Sequence, residues 1–174
     1  MKNGVVLIAA ALIGAGCSSN LETRVTSNGL RSPVTEAYMI STVAETSPEL
    51  RTAYKLVAAA MAQKGFLLVK EAALHLEITL DARPAVLALG GNDGAGSLSP
   101  AKKKKPLQSC EDREYRLGVT LTKVSDGTEI YRGRAAEYHC KVPVAEALPT
   151  LVGAALADFG SPRGNYVTVR KGRE

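Results

Sequence analysis

Few side chains in this sequence can form a covalent link, hold a metal or move a proton near neutral pH: the cysteines Cys17, Cys110 and Cys140 and the histidines His75 and His139. A thiolate can carry an acyl chain, a disulfide or a metal, and imidazole titrates close to physiological pH. Nothing in the spacing of Cys110, His139, Cys140 and His75 matches a zinc-ligand pattern, so a metal site built from them is the competing reading and not the expected one. His75 and His139 each read as a solvated or sheet-edge residue rather than a catalytic base. No nucleophile elbow, phosphate loop or metalloprotease pair is present, and the glycines Gly90, Gly91, Gly94 and Gly96 open no helix. The expectation is a chain without a catalytic residue, a cofactor or a metal. The competing class is an enzyme whose residues converge only in the fold.

Cys17 closes a distinctive opening segment. Lys2 supplies a positive start, residues 5–13 are apolar, and Gly14-Ala15-Gly16 places small residues directly before the thiol. This pattern predicts a signal peptide over residues 1–16, because the apolar run is about half the roughly 20 residues a permanent spanning helix needs. A cytosolic N-terminal helix is the alternative; the positive start and the absence of any acid before Glu22 oppose it. Small residues before a Cys resemble the lipobox of bacterial lipoproteins, in which that thiol receives a diacylglycerol and becomes the new N-terminus. The resemblance implies a lipidated Cys17, with ordinary cleavage at the same small residues as the competitor. Ser18 follows rather than Asp, which by resemblance to the sorting pattern of Gram-negative lipoproteins implies the outer membrane, facing the periplasm. Residues 17–33 are polar and without sustained periodicity, and read as a lipidated Cys and flexible tether, with room for a first strand towards its end.

Composition bounds what the remainder can do. With 174 residues, 45% apolar and 22% charged, the chain supports one hydrophobic core, hence a single domain over residues 34–174. Aromatics make up 5%, with no Trp, which limits large stacking platforms for bases or sugars and argues against nucleic-acid or carbohydrate recognition. The formal charge of +5 is mild, and Lys102, Lys103, Lys104 and Lys105 supply four of the positive charges in one run. That run lies in a glycine- and proline-containing stretch at about 82–109 that reads as a long solvated loop, with weak contact to anionic lipid or an acidic partner as its functional alternative.

The elements that must position these residues follow from periodicity. Residues 34–43 are rich in β-branched and aromatic side chains and predict a strand. Ser47 as cap, Pro48 at the first helical position and Glu49 near the positive end of the dipole start a helix. Its stripe is Leu50, Ala53, Tyr54, Val57, Ala60 and Met61; Gly65 ends it, and Phe66 is placed for the contact that accompanies a glycine cap. Residues 74–80 alternate apolar and polar as a half-buried strand does. Tyr115, Leu117, Val119 and Leu121 alternate again and lead through Ser125-Asp126-Gly127 into residues 130–138, a hairpin. A two-residue turn would put Arg132 and Arg134 on the apolar face. A three-residue turn with a left-handed Gly127 opposes Leu121 to Tyr131, Val119 to Gly133 and Leu117 to Ala135, and is the register expected. Arg132 and Arg134 then lie on a wet face. A last helix carries Leu148, Leu151, Val152, Ala155, Leu156 and Phe159, with Pro149 in its first turn or at a kink, and residues 166–170 add an edge strand.

This order predicts an α+β fold, two helices packed on one face of a mainly antiparallel sheet. The hairpin brings Cys110 and Cys140 together, one before its first strand and one after its second, which predicts a Cys110–Cys140 disulfide in an oxidising compartment.

Several segments together resemble an uncharacterised family of bacterial lipoproteins, the domain-of-unknown-function 4136 family. They are Cys17, the helix ending at Gly65-Phe66, the strand at 74–80, the hairpin Asp126-Gly127-Thr128-Glu129-Ile130-Tyr131-Arg132-Gly133 and the last helix ending Ala157-Asp158-Phe159. The resemblance implies an outer-membrane-anchored envelope lipoprotein and transfers no catalytic residue. The expected role is binding or envelope assembly with an envelope protein as partner; the alternatives are a secreted envelope enzyme and a scaffold or activator of a cell-envelope complex.

Overall fold

Strict alternation at residues 74–80 builds the centre of the structure. The computed structural model describes residues 19–31, 37–40, 47–90, 97–99, 101–104 and 108–172. Cys17, the segment 1–16 and Lys105 lie outside the described residues. In chain order the elements are β1 (Ser19–Gly29), β2 (Ala37–Ile40), α1 (Pro48–Gln63), β3 (Leu67–Leu68), β4 (Leu74–Pro84), β5 (Leu89–Gly90), β6 (Ser97–Ser99), β7 (Arg113–Lys123), β8 (Glu129–His139), α2 (Val144–Ala155) and β9 (Gly164–Gly172). One seven-stranded sheet runs β3-β2-β4-β7-β8-β1-β9, and β5 pairs with β6 apart from it. The sheet is mostly antiparallel, with β2 parallel to both β3 and β4. Both helices pack on one face, so this is a single α+β domain as expected.

The helix ends follow their local chemistry. The Ser47 hydroxyl accepts from the Leu50 amide at 3.1 Å, Pro48 occupies the first turn, and Gly65 turns with φ +86°. Ala53, Val57 and Met61 are buried against the sheet. Pro149 lies beyond the first turn of α2 and leaves the Ala145 carbonyl without the amide it would otherwise accept from. The hairpin takes the expected register, with Leu121 opposite Tyr131, Val119 opposite Gly133 and Leu117 opposite Ala135, and Gly127 has φ +71°. Leu76, Leu117, Val119 and Leu121 are fully buried beneath the helices, and Leu148 and Leu151 are the fully buried leucines of α2, each contributing about 1.5–3 kcal/mol.

Two expectations need correction. The polar stretch 17–33 is not a tether over most of its length: Ser19–Gly29 is an inner strand, paired with β8 on one side and β9 on the other. Its inward positions are Leu21, Thr23, Val25 and Ser27, and the two hydroxyls bond buried carboxylates far away in sequence, so the burial alternates where the hydrophobicity does not. The loop expected over 82–109 is shorter than that. The strand β4 continues to Pro84 because its whole length pairs with β7, and β5 and β6 form a small hairpin inside the remainder. All the described strands, both described helices and the core cluster lie within residues 19–172.

Candidate functional site

The inward parity that buries Tyr131 and Ala135 on β8 continues to Glu137 and His139, which are 0% and 2% exposed. Here the expectation of a solvated His139 is overturned: strand parity sends it under the helix-covered face. Its Nε2 lies 2.8 Å from Glu137, and its ring stacks on Tyr115 at 5.3 Å between centroids. Glu137 also accepts from the Thr23 hydroxyl and from Arg170, whose terminal nitrogen is 2.8 Å away. Burial alone would raise the Glu137 carboxyl, but hydrogen bonds from His139, Arg170 and Thr23 outweigh it and hold it at about 2. An ionised carboxylate only accepts, so His139 carries its proton on Nε2 and donates. The pair is therefore a locked structural contact, with the carboxylate saturated by donors.

A second carboxylate occupies the opposite face. Glu114 is 1% exposed and pairs with Arg24, Arg83 and Arg116. The Arg24 guanidinium also lies 4.2 Å above the Tyr138 ring. At the other end of β1, Ser27 donates to Asp158 at 2.7 Å, and Arg163 pairs with the same carboxylate at 2.7 Å. Burial pushes that carboxyl up, and hydrogen bonds from Ser27, Arg163 and Tyr166 bring it below its ordinary value. Neither set was legible in the sequence. Register alone would have placed Arg83 opposite Glu114, but only once β4 was known to reach Pro84.

Cys110 and Cys140 are joined in a disulfide, with Cα atoms 5.6 Å apart. Their sulfurs are thereby removed from metal binding, and among the described residues no three His, Cys, Asp or Glu side chains gather as metal ligands. His75 sits half-buried on β4, two strands from His139. Arg132 and Arg134 are exposed on the open face as expected, Arg132 pairing with Glu129.

The end of the sheet that holds the disulfide is the chemically distinctive one. Register aligns Pro84, Arg113, His139, Leu21 and Arg170 across it, so β1 begins there. Lys102 pairs with Asp112 at 2.8 Å, and its backbone amide donates to the Ala85 carbonyl at 2.8 Å. A shallow depression follows, lined by Pro84, Val86, Lys102, Lys104, Glu111 and Asp112. Val86 and Leu87 beside it are 63% and 55% exposed.

No protein-family model matches the chain, and no curated protein matches it. Among solved structures, a PDZ domain protein from Parabacteroides distasonis is similar in fold, with TM-score 0.58 and 12% identity over 86% of this chain. This chain spans 39% of that protein's length. The PelC dodecamer from Paraburkholderia phytofirmans is similar with TM-score 0.50 and 9% identity, over 81% of this chain and 99% of that one. These likenesses concern the fold.

Proposed function

We propose that this chain is a lipoprotein of the bacterial cell envelope, exported by residues 1–16, lipidated on Cys17 and held at the outer membrane facing the periplasm, where it acts by binding rather than by catalysis. The domain-of-unknown-function 4136 family is the proposed relationship. The observation that carries the reading is the Cys110–Cys140 disulfide, because such bridges persist in oxidising compartments and are rare in the cytosol. It agrees with the signal-like opening segment, from which it is independent. Metabolic acyl labelling of the wild type and of Cys17→Ala tests the anchor: label on the wild type alone supports it, and equal labelling refutes it.

A scaffold role is the second reading, favoured by one observation. The edge strand β9 is nine residues long and leaves Val167 and Val169 54% and 60% exposed. An edge of that length is a template for another strand. PelC is described as a dodecamer, and self-association through β9 is the corresponding proposal for this chain. Light scattering of the wild type against Val167→Lys tests it: a larger mass that the substitution lowers supports the scaffold, and a wild-type monomer refutes it.

A further inference from the structure

We infer that the end of the sheet where β1 begins is a docking surface for anionic phospholipid headgroups, an inference that rests on Cys17 being the membrane anchor. Ser19 already pairs with Gly172 in the sheet, and Cys17 lies two residues earlier, at most about 7 Å of chain. So short a link gives the domain no freedom to lift away. Whichever end carries Ser19 must face the bilayer.

That end is built for the contact. Lys103, Lys104, Arg113, Lys141 and Lys171 are all exposed there. The acids beside them are Glu22, Glu111 and Glu146, while Lys102 and Asp112 cancel. Directly behind, Arg24, Arg83 and Arg116 gather on Glu114, with exposed Asp81 opposite Arg116 in the strand pairing. Exposed Val86 and Leu87 lie beside the lysines, because the Lys102–Ala85 backbone bond laces the two segments together. Lysines flanking exposed apolar side chains suit the interface between headgroups and acyl chains. This patch on β4 lies three strand spacings from β1, about 14 Å, so one bilayer surface reaches both. At the opposite end Lys123 pairs with Asp126, Arg132 with Glu129 and Arg163 with Asp158, and Arg31, Lys64, Lys70 and Glu71 are exposed beside them. Both ends carry exposed cations, and the anchor selects between them, because only this end lies next to Cys17.

Residues 18–174 contain every described strand, both helices and the core, and serve as an unacylated test protein. They are expected to sediment with phosphatidylglycerol–phosphatidylcholine vesicles at low salt, to be released at about 0.5 M salt, and to ignore pure phosphatidylcholine. Lys103→Gln with Lys104→Gln should lower the partition at least about tenfold. Lys64→Gln with Lys70→Gln, an equal charge change away from this end, should leave it within about twofold. Failure to bind phosphatidylglycerol vesicles, equal binding to both lipids, or an equal loss from the two lysine pairs would overturn the inference. Acyl labelling of the full chain reads the anchor separately: a labelled chain whose unacylated form ignores vesicles keeps the anchor and loses the dock, and an unlabelled chain whose residues 18–174 bind loses the anchor alone.

Discussion

Arg170 on β9 reaches across β1 to hold Glu137 on β8, with its terminal nitrogen 2.8 Å from the carboxylate. The contact ties together two strands that are not neighbours and fixes β1 between them. Because Glu137 is held at about 2 against an ordinary 4.5, its stabilising contribution is complete above about pH 4.5 and is lost as pH falls through about 2. The urea midpoint of the wild type should therefore fall over that window. Glu137→Gln should start lower by a few kcal/mol and show a flatter slope there. An unchanged slope in the variant would remove Glu137 as the titrating group.

Glu114 should be far more sensitive than any one of its partners. Removing the carboxylate leaves Arg24, Arg83 and Arg116 crowded on one face with no shared counter-charge, and Glu114→Ala is expected to cost about 3–5 kcal/mol. Arg24→Ala leaves two arginines on the acid and removes a side chain that is 26% exposed, so about 1 kcal/mol is expected. Chemical denaturation of the two variants checks the ratio, and equal losses would contradict the shared-acid arrangement.

The disulfide spans a sequence separation of 30, and replacing both Cys110 and Cys140 with Ser should destabilise by roughly 3–4 kcal/mol on the chain-entropy view. It closes the hairpin at the end where β1 starts, so hydrogen exchange should quicken first in residues 137–139 and 19–21. Intact mass without reductant reads the bridge itself: two free thiols in periplasmic protein would contradict it.

What the sequence made legible depended on where polarity and burial coincide. The alternation at 74–80 and 115–121 survives as β4 and β7 because every inward position there is apolar, and Ser47, Pro48 and Gly65 bound α1 by local chemistry alone. The strand β1 was hidden because Thr23 and Ser27 point inward, and only acids 114 and 131 positions away make that tolerable. His139 was misread for the same reason: its partner Glu137 is polar too, so two consecutive inward positions on β8 break the hydrophobic pattern while keeping its parity. Tertiary pairing of polar groups leaves no periodic trace. The disulfide, by contrast, followed from hairpin geometry and needed no such knowledge.

Small residues mark where α2 meets the sheet most closely. A β-carbon on Gly133 would collide with the Ala155 carbonyl oxygen and lie 2.6 Å from the Tyr131 hydroxyl. That hydroxyl donates to the same Ala155 carbonyl at 2.6 Å, satisfying an oxygen that the helix end leaves without an amide. Burial and the nearby Asp158 charge push the phenol well above its usual range, so it remains a donor at all physiological pH values. Gly133→Ala must displace helix backbone rather than a side chain, and a loss of about 2–3 kcal/mol is expected. Tyr131→Phe keeps the ring packed on Phe159 and removes only the hydrogen bond, for about 1–2 kcal/mol. Combined, the two should be less than additive, because a displaced Ala155 carbonyl no longer meets the hydroxyl. A double-mutant cycle by urea denaturation measures this, and full additivity would show that the glycine and the tyrosine do not act on the same carbonyl.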